Sequence, residues 1–311
     1  MDMIARTIRF SLCLGFFLVA LCTYVPTSHG SKKAIKVKDA FGKTVTIRSS
    51  KRIVSLNGTV TEALFALGAG ASVVGRDTSS YYPKSALKLP TVGYQHRLNA
   101  EGILRLRPTL VIGLSSVKPL IVLKQIQSAG VTVLLLKTPL NVTTSRSMLR
   151  KLGQALGQQK RAKKLLDTMK SHLDKLAKAR KANKTKQRVM ALYLRGTRMR
   201  FVLGTHTTVG GMVSLIGATN VARFKRVKPI SAEAMVAARP NVIVLFAKGL
   251  KSIGGIKGLK RIPGLALTPA GKNNRFVIMD DLYLGGFGPR CGRAALDLFR
   301  GVYRTKGLFK K

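Results

Sequence analysis

At 311 residues with 46% apolar side chains, the chain is long and apolar enough to bury a sizeable core, which excludes a disordered polyelectrolyte despite 56 Lys and Arg against 11 Asp and Glu. The net charge of +45 draws the protein to anionic surfaces. The cations are nevertheless spread almost evenly and form no zinc-knuckle, RNP or helix-turn-helix pattern, which argues against a specific nucleic-acid reader.

The chain opens with Arg6 and Arg9, an apolar run from Phe10 to Val25, and then Ser28, His29 and Gly30, an order that reads as a secretory signal peptide over residues 1–30. A membrane anchor is the alternative, but the run is about 16 residues, short of the roughly 20 that span a bilayer. Cleavage near Gly30 and export of the mature protein are therefore expected. Cys13 and Cys22 leave with the signal, so Cys291 stays alone and no intramolecular disulfide is available.

Past the signal, RIVSL (52–56) reads as an apolar strand, and TVTEALFAL (59–67) has helical spacing, with Thr59 and Glu62 as a capping box and Gly68 as the stop. Strand-like segments at 72–75, 109–113 and 131–136 alternate with helical ones near 100–106 and 120–129. This βα alternation predicts an α/β fold with a mainly parallel sheet. Residues 158–184 form a glycine-free, highly charged stretch with Leu165, Met169, Leu173 and Leu176 at spacings of three and four, which predicts one long bridging helix. The alternation then restarts, with strands at 188–194, 241–246 and 275–279 and helices near 209–216 and 232–238. LNAEGILRLRPTLVI from Leu98 matches ISAEAMVAARPNVIV from Ile230. Two similar α/β lobes are implied, an N-terminal one over 31–157 and a C-terminal one over 186–311, joined by the helix 158–185 with a ligand cleft between them.

No reactive constellation accompanies this architecture. His96, His172 and His206 make no metal-ligand pair, no nucleophile elbow, P-loop or dinucleotide fingerprint appears, and GGFGPR (285–290) lacks a phosphate-loop lysine. The chain reads as a binding protein, not an enzyme.

RIVSLNGTVTEALFALG, RDTSSYYPKSALKLPTVGY (76–94), LNAEGILRLRPTLVIG, ISAEAMVAARP, KRIPGLALTPAGKN and LGGFGPR together resemble the haem-binding periplasmic proteins of bacterial haem-uptake ABC transporters, the class with a helical backbone between its lobes. The likeness runs from Arg52 to about Leu298, and its early part is shared with cobalamin and siderophore binders. It implies that ferric haem is the transported ligand, carried by a monomer to an inner-membrane permease and its ATPase. It further implies that Tyr82, followed by Pro83, ligates the iron, with neighbouring Tyr81 as the alternative; a phenolate is a hard donor suited to ferric iron.

Weaker expectations surround this one. Lys84 either steadies the phenolate or a propionate or is simply solvated, and Tyr94 and Arg97 border the cleft. His206 either supplies a second-lobe ligand or is a plain loop histidine. Arg290 either pairs with a propionate or bonds the neighbouring loop. Glu101 and Glu233 hold equivalent places in the repeated phrase; they place favourable charge in a helix's first turn, and in the resembled family such glutamates meet arginines of the permease. A siderophore or corrinoid binder on the same scaffold, and an exported polycation that adheres to anionic polymers, are the competing readings.

Overall fold

The computed structural model describes residues 34–196 and 199–304, so the signal reading of residues 1–30 lies outside the described residues. A hairpin of β1 (Ile35–Lys38) and β2 (Thr44–Ile47) comes first. It is followed by β3 (Ile53–Ser55), α1 (Gly58–Ala66), β4 (Val73–Arg76), the two-residue strands β5 (Gly93–Tyr94) and β6 (Arg97–Leu98), and α2 (Ala100–Leu104). Then come β7 (Leu110–Leu114), α3 (Leu120–Ser128), β8 (Thr132–Leu136) and α4 (Val142–Ala155). These strands build a four-stranded sheet in the order β4, β3, β7, β8, with every neighbouring pair parallel. All five residues of β7 are buried, as a parallel strand covered by helices on both faces requires.

α5 (Gln159–Ala182) is a 24-residue helix, about 36 Å long at the usual rise. Met169 and Leu176 are buried on it, with Leu165 and Leu173 partly buried beside them, so the apolar stripe read from the sequence is its packed face. A second sheet follows, from β9 (Arg188–Arg195), β10 (Met199–Leu203), α6 (Thr208–Leu215), β11 (Thr219–Asn220), β12 (Val227–Pro229), α7 (Ala232–Ala237) and β13 (Val242–Phe246). The chain continues through α8 (Ala247–Ser252), α9 (Gly255–Lys260), α10 (Pro269–Lys272), β14 (Phe276–Met279), α11 (Asp281–Gly285) and α12 (Cys291–Tyr303). This sheet is mixed rather than parallel throughout. β11, β9, β13 and β14 run parallel, but β10 folds back antiparallel on β9, and β12 on β10. The gap between β9 and β10 is too short for a crossover, which takes a dozen or more residues.

The repeated phrase holds at atomic level. In each half an arginine just before or at the start of a central strand donates to two carbonyls at the end of a short helix: Arg52 to Leu106 and Arg107 at 2.7 and 2.9 Å, Arg188 to Ala238 and Arg239 at 2.7 and 3.3 Å. Arg107 and Arg239 both take the left-handed conformation, at φ 46° and 42°. α4 and α12 flank α5, and one core runs from Ile53, Leu110 and Ile112 on the first sheet through Leu149, Met169 and Phe299 to Val244 on the second. The two sheets are therefore joined by continuous apolar packing as well as by the bridging helix.

The capping box expected at Thr59 is not formed. The cap of α1 is Asn57, whose side chain accepts the Thr59 N–H at 2.8 Å. Thr59 lies inside the helix and donates its hydroxyl to the Gly286 carbonyl at 2.9 Å, while Glu62 pairs with Arg290. The sequence pattern admits either cap, and long-range partners for Thr59 and Glu62 decide between them.

Candidate functional site

A cavity of about 470 Å³ opens where the carboxyl ends of the parallel strands face each other, the usual ligand position in such sheets. β3 delivers Asn57 and the start of α1 to it, and the segment after β4 delivers Tyr81. That segment is fixed by buried Asp77, whose carboxylate accepts hydrogen bonds from the Ser79 N–H and from the hydroxyls of Ser79 and Ser80. Burial pushes the Asp77 pKa up, and the Ser80 and Ser79 hydrogen bonds oppose the rise. From the other sheet, the end of β9 supplies Tyr193 and Arg195, and the end of β13 supplies Phe246, with Lys248 just beyond.

The cleft tyrosines differ in what their hydroxyls do. Tyr81 accepts the Leu282 N–H at 2.7 Å and donates to Asp280 at 3.3 Å, while the Lys248 ammonium lies 3.3 Å from its ring centroid. Burial, then the Asp280 charge, raise its pKa, so this phenol is committed to joining the lobes. Tyr94 is 46% exposed, and among the described residues its hydroxyl has no hydrogen-bond partner. Its ring meets His96 edge-on at 5.2 Å. Burial raises the pKa of its hydroxyl, the Tyr193 phenol adds to the rise and Arg195 opposes it; all three side chains line the same cavity. Arg195 lies over the Tyr193 ring at 4.7 Å and is held by Asp281 at 3.2 Å; Asp281 also accepts the Lys248 N–H at 3.0 Å. The cleft thus presents an unengaged phenol on one wall, a second tyrosine opposite, aromatic faces, and two cations that are donors for carboxylates.

Tyr82, the first expectation for an iron ligand, does not line this cleft. It faces a separate cavity of about 470 Å³ beside α5, with Pro83, Phe65, Leu165 and His172. Tyr81 thus takes the cleft and its neighbour Tyr82 the far side. Arg290 is likewise not a free cleft cation: it donates to both oxygens of buried Glu62 at 2.7 and 2.9 Å and covers the Tyr82 ring at 3.6 Å. His206 sits exposed at φ 59° with Thr205 as its neighbour at 3.5 Å, and it does not line the cleft. Lys84 and Arg97 are exposed and also off the cavity wall, Arg97 opposite Tyr94 in the β5–β6 hairpin. Glu101 and Glu233 are exposed in the first turns of α2 and α7, after the caps Asn99 and Ser231. Sequence reasoning does not single out Tyr193, Arg195, Phe246 and Lys248; their position at strand carboxyl ends is the signal that points to them.

Comparison with known proteins bears on the family and the fold. The family model described as "Periplasmic binding protein" matches residues 53–283. The periplasmic heme-binding protein RhuT from Roseiflexus sp. RS-1, solved in apo form, is 43% identical and superposes with a TM-score of 0.79 over 82% of this chain and 99% of its own. The periplasmic heme-binding protein BhuT, solved in complex with two hemes, is 34% identical, with a TM-score of 0.77 over 82% of this chain and 98% of its own. The vitamin B12-binding protein of Yersinia pestis (strain Pestoides F) is 29% identical over 65% of this chain and 71% of its own length. The chain belongs to the periplasmic binding protein family, whose members bind ligands rather than transform them.

Proposed function

We propose that this protein captures ferric haem in the periplasm and delivers it to an ABC permease, with Tyr94 as the iron ligand. The observation that carries the reading is the Tyr94 phenol, open to the cleft and without a protein partner among the described residues. A hard phenolate oxygen suits ferric iron, and coordination itself lowers the phenol's pKa enough to release its proton. Arg195 and Lys248, which line the same cleft, are the cations that meet the propionates in this reading, and Tyr193 gives the opposite wall a second phenol. The heme-binding descriptions of RhuT and BhuT support this ligand.

Exposed Glu101 and Glu233, one at the same helix position in each lobe, are the docking points for the permease. The protein acts as a monomer after cleavage near Gly30. A corrinoid is the second reading, favoured by the vitamin B12-binding relatives.

The test is an absorbance titration of purified protein with ferric haem, repeated with Tyr94→Phe, Tyr81→Phe and Tyr82→Phe and alongside cyanocobalamin. A saturable tyrosinate-type spectrum lost in Tyr94→Phe and kept in Tyr82→Phe supports the proposal. Loss in Tyr82→Phe alone returns the iron to that residue. Saturation by cobalamin without a haem complex replaces haem with a corrinoid.

A further inference from the structure

We infer that Asp281 is a specificity-determining residue of the cleft, a built-in rival of the ligand's carboxylates for Arg195. The inference rests on the haem reading above, in which the cleft cations meet the propionates.

A carboxylate is out of place in a cleft that receives a dianionic edge. The chain has 11 Asp and Glu against 56 Lys and Arg, yet Asp281 lines the cleft beside Arg195 and Lys248. It is held there as the first residue of α11, whose cap Asp280 accepts the Tyr283 N–H at 2.9 Å. Its side chain is 16% exposed, and its two oxygens have separate tasks. Oδ1 accepts the Lys248 N–H at 3.0 Å and so caps α8, where Phe246 at the cap position makes no side-chain hydrogen bond. Oδ2 accepts from Arg195 Nη2 at 3.2 Å and serves no backbone group among the described residues.

Arg195 divides its donors in the same way. Nη1 donates to the Leu194 carbonyl at 3.1 Å, Nη2 meets Asp281, and the guanidinium lies over Tyr193 at 4.7 Å. N–H groups are left over for a ligand on a side chain that is 36% exposed. A propionate arriving there shares one guanidinium with Asp281, and two carboxylates on one cation repel each other. Lys248 has no such competitor: its ammonium rests on the Tyr81 ring at 3.3 Å and has no ion pair among the described residues. The cleft therefore grips one carboxylate without competition, at Lys248, and the other against a rival, at Arg195. A carrier that must give up its cargo is served by such a site, because Asp281 takes up the charge of Arg195 as the ligand leaves.

Asp281→Asn separates the two tasks, since the amide oxygen still accepts the Lys248 N–H while the negative charge on Arg195 is lost. Ferric haem and its dimethyl ester, in which both carboxylates are capped, are titrated into the wild type, Asp281→Asn, Arg195→Gln and the double variant, with affinity read from absorbance. Circular dichroism verifies folding, and Asp281→Ala takes the place of Asp281→Asn where the latter does not fold. Haem bound at least about threefold more tightly by the neutral variant, the scale of a partly exposed ion pair, upholds the rivalry when the ester is bound equally and the gain vanishes in the Arg195→Gln background. A smaller gain or a loss overturns it, as does the same gain with the ester or without Arg195. A wild type that forms no saturable haem complex overturns the haem reading itself and the inference with it.

Discussion

Replacing Arg290 with methionine removes the cation that neutralises Glu62, which is 4% exposed and reaches it through bonds of 2.7 and 2.9 Å from opposite lobes. Breaking a buried pair on one side costs about 3–5 kcal/mol, because the remaining charge stays desolvated. Arg290 is itself 28% exposed, so water can follow the lost side chain and the lower end applies, about 3 kcal/mol. Packing against Tyr82 and Tyr283 is lost as well, though methionine restores part of it. For a protein of this size the melting temperature should fall by about 6–12 °C. Urea unfolding of the wild type, Arg290→Met, Glu62→Gln and the double variant gives the coupling energy directly. The double variant should recover at least half of the loss, since no charge is then left buried. Additive single effects, or an Arg290→Met protein within about 0.5 kcal/mol of the wild type, the range of an ordinary surface change, would refute the reasoning.

Asp77 should give stability a pH dependence of unusual sign for a carboxylate. Its pKa is raised by burial, so the fold holds the proton more tightly than the unfolded chain does; the favourable contribution is complete below about pH 3.9 and is lost as pH rises through the raised folded value. The stability difference between wild type and Asp77→Asn, followed by urea unfolding, should therefore shrink as pH rises through that window. Cys291 is buried, and desolvation lifts its thiol to about 11, so it should resist an aromatic disulfide reagent at pH 8 and react at once in denaturant. Glu101→Ala with Glu233→Ala should keep the haem titration intact while lowering permease-stimulated ATP hydrolysis at least tenfold in reconstituted vesicles.

Much of the scaffold is legible in the sequence because its strands are apolar runs bounded by turn residues, a signal that survives without partners. Those runs mark β7 and β13 to within one residue, and the match between residues 98–112 and 230–244 announces two similar lobes but not the clamps, whose donors Arg52 and Arg188 lie outside it. The folding back of β10 and β12 is not legible, since their short polar-flanked segments give no alternation strong enough to mark an added edge. The site is harder. Tyr81, Tyr82 and Tyr94 share a residue type within one stretch, and only the backbone decides that the first and third reach the cleft while the second turns to α5. Glu62 and Arg290 are 228 positions apart, so no local pattern could announce their pairing.

The helix α5 and the unbroken core beneath it have a consequence for transport kinetics. A carrier whose halves are held by about 36 Å of helix and shared packing has little room to advertise its cargo by snapping shut. Empty and loaded molecules then present nearly the same face to the membrane machinery and compete for it. Raising the amount of carrier beyond the supply of ligand should slow import, and the cell gains most from a pool kept close to saturation.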